Sequence, residues 1–100
     1  MAWASWTTRG VFSGRGGVLT DEVGVLSGDL TVHTTWADDT AQITVQYTDA
    51  IDWFTMSGSP VPCHSEEESR QLHEMAVRAV RAGGAATVPA SPGREPGPAA

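Results

Sequence analysis

"DLTVHTTWADDTAQITVQY", residues 29–47, alternates apolar and polar side chains over two runs joined by a pair of aspartates. In the first run Leu30, Val32, Thr34 and Trp36 fall on one side of an extended chain. Thr31, His33 and Thr35 fall on the other. In the second run the inward set is Ala41, Ile43, Val45 and Tyr47, and the outward set is Gln42, Thr44 and Gln46. A period of two marks strands of an antiparallel sheet with one covered face. Asp38 and Asp39 supply the turn, because aspartate hydrogen-bonds to its own backbone and tolerates tight turns.

Further elements extend from this hairpin in both directions. "EVGVL", residues 22–26, followed by "SGD", reads as a strand and tight turn leading into it. After a turn at "TDA", residues 48–50, "IDWFTM" reads as another strand. There the adjacent Trp53 and Phe54 imply a bulge or burial on both faces. Trp36, Ile43 and Trp53 are expected in the core. Near the start, "WASWTTRGVF" can add a fifth strand, since leaving Trp3, Trp6 and Phe12 in water is costly. "SGRGG", residues 13–17, reads as a flexible loop. As an anion nest with Arg15 it lacks the lysine and the spacing of a phosphate-binding loop.

The period changes at "SEEESRQLHEMAVRAVRAGG", residues 65–84. Ser65 with Glu68 forms a capping box. Glu66, Glu67 and Glu68 sit at the positive end of the helix dipole, and Arg78 and Arg81 at the negative end. Leu72, Ala76, Ala79, Val80 and Gly83 share one face, with His73 and Met75 at its margins. Glu66, Arg70, Glu74 and Arg78 make a charge ladder on the opposite face. Gly83 and Gly84 end the helix, which is expected at about 65–82. Beyond it "GAATVPASPGREPGPAA" carries four of the six prolines and no periodicity, so residues 84–100 are expected to be a disordered tail.

The fold class is therefore α+β: an antiparallel β-meander of four to five strands, with one C-terminal helix packed on one face and a loose tail. The division is residues 1–20 as an N-terminal arm and Gly-rich loop, 21–83 as the meander and helix, and 84–100 as tail. One helix covers one face only, which leaves the side bearing His33, Thr35 and Thr44 bare.

Composition narrows the function classes. The chain has 100 residues, six arginines, no lysine and twelve acids, for a net charge of −6. Arginine without lysine, with frequent Ala and Gly, reads as a GC-rich bacterial coding bias. That charge disfavours nucleic acid, whose binding needs cations against phosphates, and disfavours an anionic membrane surface. A single cysteine excludes an internal disulfide framework and fits a reducing, cytoplasmic setting. The N-terminal residues show no secretory signal pattern. No metal-ligand spacing is present, no cofactor motif is found, and no catalytic residue is assigned. "PVPCHS", residues 60–65, holds Cys63 and His64 beside the helix start. Cys63 is expected to be a small apolar plug, with Cys63 or His64 as the reactive pair in the alternative of a small-ligand pocket around residues 59–65.

The expected role is therefore a small acidic intracellular protein that acts without catalysis, through contact with a partner protein or a second copy of itself. The residues expected at that contact are Trp3, Trp6, Arg15, His33, Thr35 and Thr44. An edge strand unguarded by lysine offers strand addition as a further route.

Overall fold

The computed structural model describes residues 2–90. The elements in chain order are β1 (Trp3–Phe12), β2 (Val18–Thr20), β3 (Gly24–Leu26), β4 (Asp29–Ala37), β5 (Thr40–Tyr47), β6 (Phe54–Thr55), β7 (Val61–Pro62) and α1 (Glu66–Ala82). The main antiparallel sheet runs β1-β4-β5-β6, and β7 also pairs with β5. β2 and β3 form a separate two-stranded ribbon. The class is α+β, with one helix on one face of an antiparallel sheet.

The hairpin forms as its pattern dictates. β4 and β5 pair in register from Leu30↔Tyr47 to Ala37↔Thr40. Asp38 and Asp39 both adopt positive φ, 52° and 59°, which gives the two-residue turn whose twist matches the strands. Leu30, Val32, Thr34, Trp36, Ala41, Ile43 and Val45 are buried on one face. Tyr47 departs from the expected inward set and is 41% exposed at the strand end.

The neighbour of β4 on its other side is β1, not residues 22–26. Pairing runs from Trp3↔Ala37 to Phe12↔Asp29 and shifts between Thr8 and Val11. There Arg9 and Gly10 face one residue of β4, and Gly10 takes φ 67°. This bulge restores the inward phase. Ala4, Trp6 and Thr8 point toward the helix side before it, and Val11 does so after it. Residues 22–26 contribute only Gly24–Leu26, which pair with Val18–Thr20 instead. The N-terminal arm thus takes the sheet position expected of residues 22–26. Its ten residues offer a longer ladder; of its aromatics Trp6 is half-buried, while Trp3 and Phe12, expected to pack, stay exposed.

The segment 51–56 yields a two-residue strand. Phe54 pairs with Val45 and packs against the core, while Met56 is fully buried. Trp53 is not in the core. It is 43% exposed and lies on the outer face, its ring 5.6 Å from that of His33. Strand alternation explains this: with Phe54 turned inward, Trp53 must turn outward.

The helix begins at the expected cap. Ser65 accepts a hydrogen bond from the Glu68 amide at 3.1 Å. The reciprocal bond shifts by one residue, with Glu68 accepting from the His64 amide at 2.7 Å. The buried stripe is Ser69, Leu72, His73, Ala76, Val77 and Val80, so His73 lies inside it and not at its margin. Ala79 and Met75 are only half-buried. On the exposed flank Arg70 pairs with Glu67 and with Glu74, in place of the longer ladder.

A helix of 17 residues is about 25 Å long and about 10 Å wide, enough for two strands at their usual spacing. It packs on β1 and β4. The rest of the core is completed by Met56, Cys63, and Val18 and Leu26 of the ribbon. Each fully buried Val, Leu, Ile or Met contributes about 1.5–3 kcal/mol.

The expected flexible loop and the first residues of the expected tail are fixed against each other. Gly84, Ala85 and Ala86 donate backbone hydrogen bonds to the carbonyls of Arg15, Gly16 and Gly17, at 2.7, 2.9 and 2.9 Å. Leu19 donates to Ala86, Val88 donates to Ser57, and Ala86 is buried. The glycines permit this approach. A Cβ on Gly14 would lie 2.4 Å from the Arg81 carbonyl oxygen, and one on Gly16 would lie 2.8 Å from the Gly84 backbone. Residues 91–100 of the expected tail lie outside the described residues.

This close seam is testable. Gly16→Ala is expected to lower the unfolding free energy by about 3 kcal/mol in urea melts, since its Cβ would lie 2.8 Å from the Gly84 backbone. Gly24→Ala, at a positive φ of 75° with open space around it, is expected to cost only about 1 kcal/mol. Equal losses at the two sites would refute the clash as the cause.

Candidate functional site

Three polar groups on the inner face meet where α1 crosses β1 and β4. Thr8 lies on β1, Thr34 on β4 and His73 on α1. The His73 ring bonds to both hydroxyls: Nε2 to Thr8 Oγ1 at 2.8 Å, and Nδ1 to Thr34 Oγ1 at 2.8 Å. His73 is 6% exposed and Thr34 fully buried, so both ring nitrogens need a partner and both have one. A second polar tie lies one turn earlier, where Trp6 Nε1 donates to Ser69 Oγ at 3.0 Å. A third closes the far end of the core, where Trp36 Nε1 donates to the Cys63 carbonyl at 2.8 Å.

From Thr8 and His73 a cleft of about 440 Å³ opens along the helix, lined also by Glu74, Val77, Arg78 and Arg81. Burial pushes the His73 imidazolium pKa below its ordinary value near 6.5. The charge of a protonated His33 adds to that shift, and Glu74 opposes it. The ring is therefore neutral at pH 7, with one donor and one acceptor. The chain Thr8–His73–Thr34 has the spacing of a hydroxyl, a base and an orienting group. The orienting group is a neutral hydroxyl, however, and the burial that lowers the pKa also makes an imidazolium costly to form. The arrangement is better suited to hydrogen-bonding recognition than to removing a proton.

The opposite face of the sheet gathers some of the expected contact residues. His33 bonds to Thr7 through Nδ1 at 2.7 Å and to Thr35 through Nε2 at 3.1 Å. Thr44 is its cross-strand partner, and Trp53 covers its ring. Trp3 lies on the same face at the start of β1 and is 66% exposed. This face is not wholly bare. Thr31 is buried and bonded to Thr48, Gln46 donates to the Ala50 carbonyl, and Arg9 bridges to Asp49, so residues 48–53 fold over one end.

The remaining expected residues lie apart. Trp6 faces the helix and is half-buried. Arg15 is exposed in the glycine seam. Cys63 is fully buried, its thiol directed at the Ser65 carbonyl at 3.8 Å. His64 is exposed at the helix start. Among the described residues no three His, Cys, Asp or Glu side chains come together as a metal site, and no helix is long and apolar enough to cross a membrane.

The cleft was missed in the sequence because Arg78 and Arg81 have a sufficient local role at the helix dipole. A signal did exist. Thr34 in an apolar strand set and His73 beside an apolar helix stripe are two polar groups that each need a buried partner.

Two predictions follow from this geometry. A histidine with a depressed folded-state pKa binds more protons when unfolded, so stability is expected to fall as pH drops below about 6.5. Urea midpoints from pH 7.5 to 5 should show this loss, and His73→Gln should flatten it; an unchanged slope would refute the role of His73. Iodoacetamide should label Cys63 slowly in native protein and faster in urea; rapid native labelling would revive the reactive reading.

The chain matches no family model, no curated protein and no solved structure.

Proposed function

We propose that the protein acts by contact, without catalysis, and that β1 is the strand along which a partner protein, or a second copy of the chain, is added. The observation that carries this reading is the open edge. β1 spans ten residues, and β4 is its strand neighbour on one side only. The opposite margin of the sheet is broken into the two-residue strands β6 and β7, which offer little template.

Natural edge strands are commonly guarded by lysine, proline or a bulge. β1 carries neither lysine nor proline, and its one cation, Arg9, is held by Asp49 at 2.8 Å. The bulge lies at residues 9–10 and leaves 3–8 regular. Six regular residues present about three outward amide–carbonyl pairs to an incoming strand. Each hydrogen bond contributes about 1 kcal/mol net. Burial of Trp3, 66% exposed at the end of this stretch, would add about 2 kcal/mol. The face bearing Thr7, His33, Thr35, Thr44 and Trp53 continues from this edge and gives the partner polar and aromatic side-chain contacts. The excess of acids favours a neutral or basic partner over nucleic acid or an anionic membrane. The lone buried cysteine fits a reducing compartment such as the cytoplasm.

Lysine placed on the edge tests the reading. Ser5→Lys with Thr7→Lys, both at exposed positions, is expected to keep the far-UV spectrum and urea midpoint while abolishing association. Association is read by affinity capture from the native host and by sedimentation across the micromolar range. Wild type that captures nothing and stays monomeric would overturn the proposal, as would a variant that still associates.

A further inference from the structure

We infer that the cleft between β1 and the C-terminal half of α1 binds a small oxyanion, a phosphate or a carboxylate, through Arg78, Arg81 and the Thr8 hydroxyl. This inference does not depend on strand addition, since it rests on the helix side of β1 and not on its open backbone edge.

The first argument is charge placement. The chain is acidic overall, and two of its arginines are already engaged: Arg9 on Asp49, and Arg70 on both Glu67 and Glu74. Arg78 and Arg81 make no ion pair among the described residues, yet both line the same cleft. Positions three apart lie on one flank of a helix, so the two guanidinium groups can converge on one ligand. The single acid of the cleft, Glu74, is held by Arg70 at 2.6 Å, which turns part of its charge away. Arg81 answers the helix dipole in the last turn, but Arg78 lies nearly a turn further in, where that effect fades.

The second argument is the hydroxyl. A neutral His73 can donate through Nδ1 to Thr34 or through Nε2 to Thr8. If Nε2 carries the proton, Thr8 Oγ1 accepts from the ring and its own O–H is released toward the cleft. An anion there selects this tautomer. The donor set is then two planar guanidinium forks and one oriented hydroxyl, a combination that matches an oxyanion. Val77, nearly buried, forms an apolar wall beside it. The volume of about 440 Å³ falls within the range of small-molecule sites.

The test is an NMR titration of the full chain, in a buffer free of both anions, with inorganic phosphate in one arm and acetate in the other. Saturable amide shifts are expected at Thr8, Val77, Arg78 and Arg81, with the His73 ring nitrogens moving toward the Nε2–H form. Saturation in one arm only still supports the site and tells which anion it prefers. Arg78→Gln and Arg81→Gln, both at exposed helix positions, should each weaken binding by about tenfold. Thr8→Val keeps the shape and should abolish the tautomer response. Shifts spread equally over Arg9 and Arg15, absence of saturation in both arms, or unchanged affinity in both arginine variants would overturn the inference.

Discussion

The pairing of β1 with β4 decides the rest of the architecture. Two strands compete for one edge of the hairpin, and the N-terminal arm takes it. It brings ten residues of ladder, and its bulge keeps Ala4, Trp6, Thr8 and Val11 on the helix side. Once that edge is occupied, residues 18–26 must satisfy their own backbone, and they do so as a separate ribbon. The ribbon then adds Val18 and Leu26 to the core. The same pairing leaves the outer edge of β1 open and sets Thr8 opposite His73.

Polar ties fix how the helix lies on this sheet. An alanine- and valine-rich stripe slides easily, because apolar contacts have no direction. Hydrogen bonds from Trp6 to Ser69, and between His73 and the hydroxyls of Thr8 and Thr34, do have direction. Each would leave a buried polar atom unpaired if the helix moved by a turn, at a cost of about 1–3 kcal/mol. They therefore give the interface a register. At the other end of α1 the glycine seam holds Gly14–Gly17 against Gly83–Ala86, so the helix terminus and the start of the chain are bound together.

Much of the fold was legible because local patterns carried it. The alternation in 29–47 gave both long strands and their buried set, apart from the exposed Tyr47 and the buried Thr31. The Ser65–Glu68 cap and the glycines at 83–84 gave the helix bounds. Where sequence and structure differ, one cause recurs: composition does not fix conformation. "SGRGG" and "GGAATV" look flexible one at a time, yet small residues are what allow two backbones to meet. Trp53 looked like core because it is large and apolar, but its phase relative to Phe54 sets it on the outer face beside His33. The cleft was the least legible feature, since its residues come from positions 8 and 73–81 and each has an ordinary local reading.

The sequence by itself determined the hairpin, the helix with its cap and the acidic charge. These follow from periodicities and neighbours within a few residues, where steric and hydrogen-bonding rules act directly. Only the tertiary structure decided which strand flanks β4, where the glycine-rich segments lie, and that His73 joins Thr8 to Thr34 at the mouth of an arginine-lined cleft. Those outcomes depend on competition between segments dozens of residues apart, settled by which arrangement buries the most apolar surface while leaving no interior polar group unbonded.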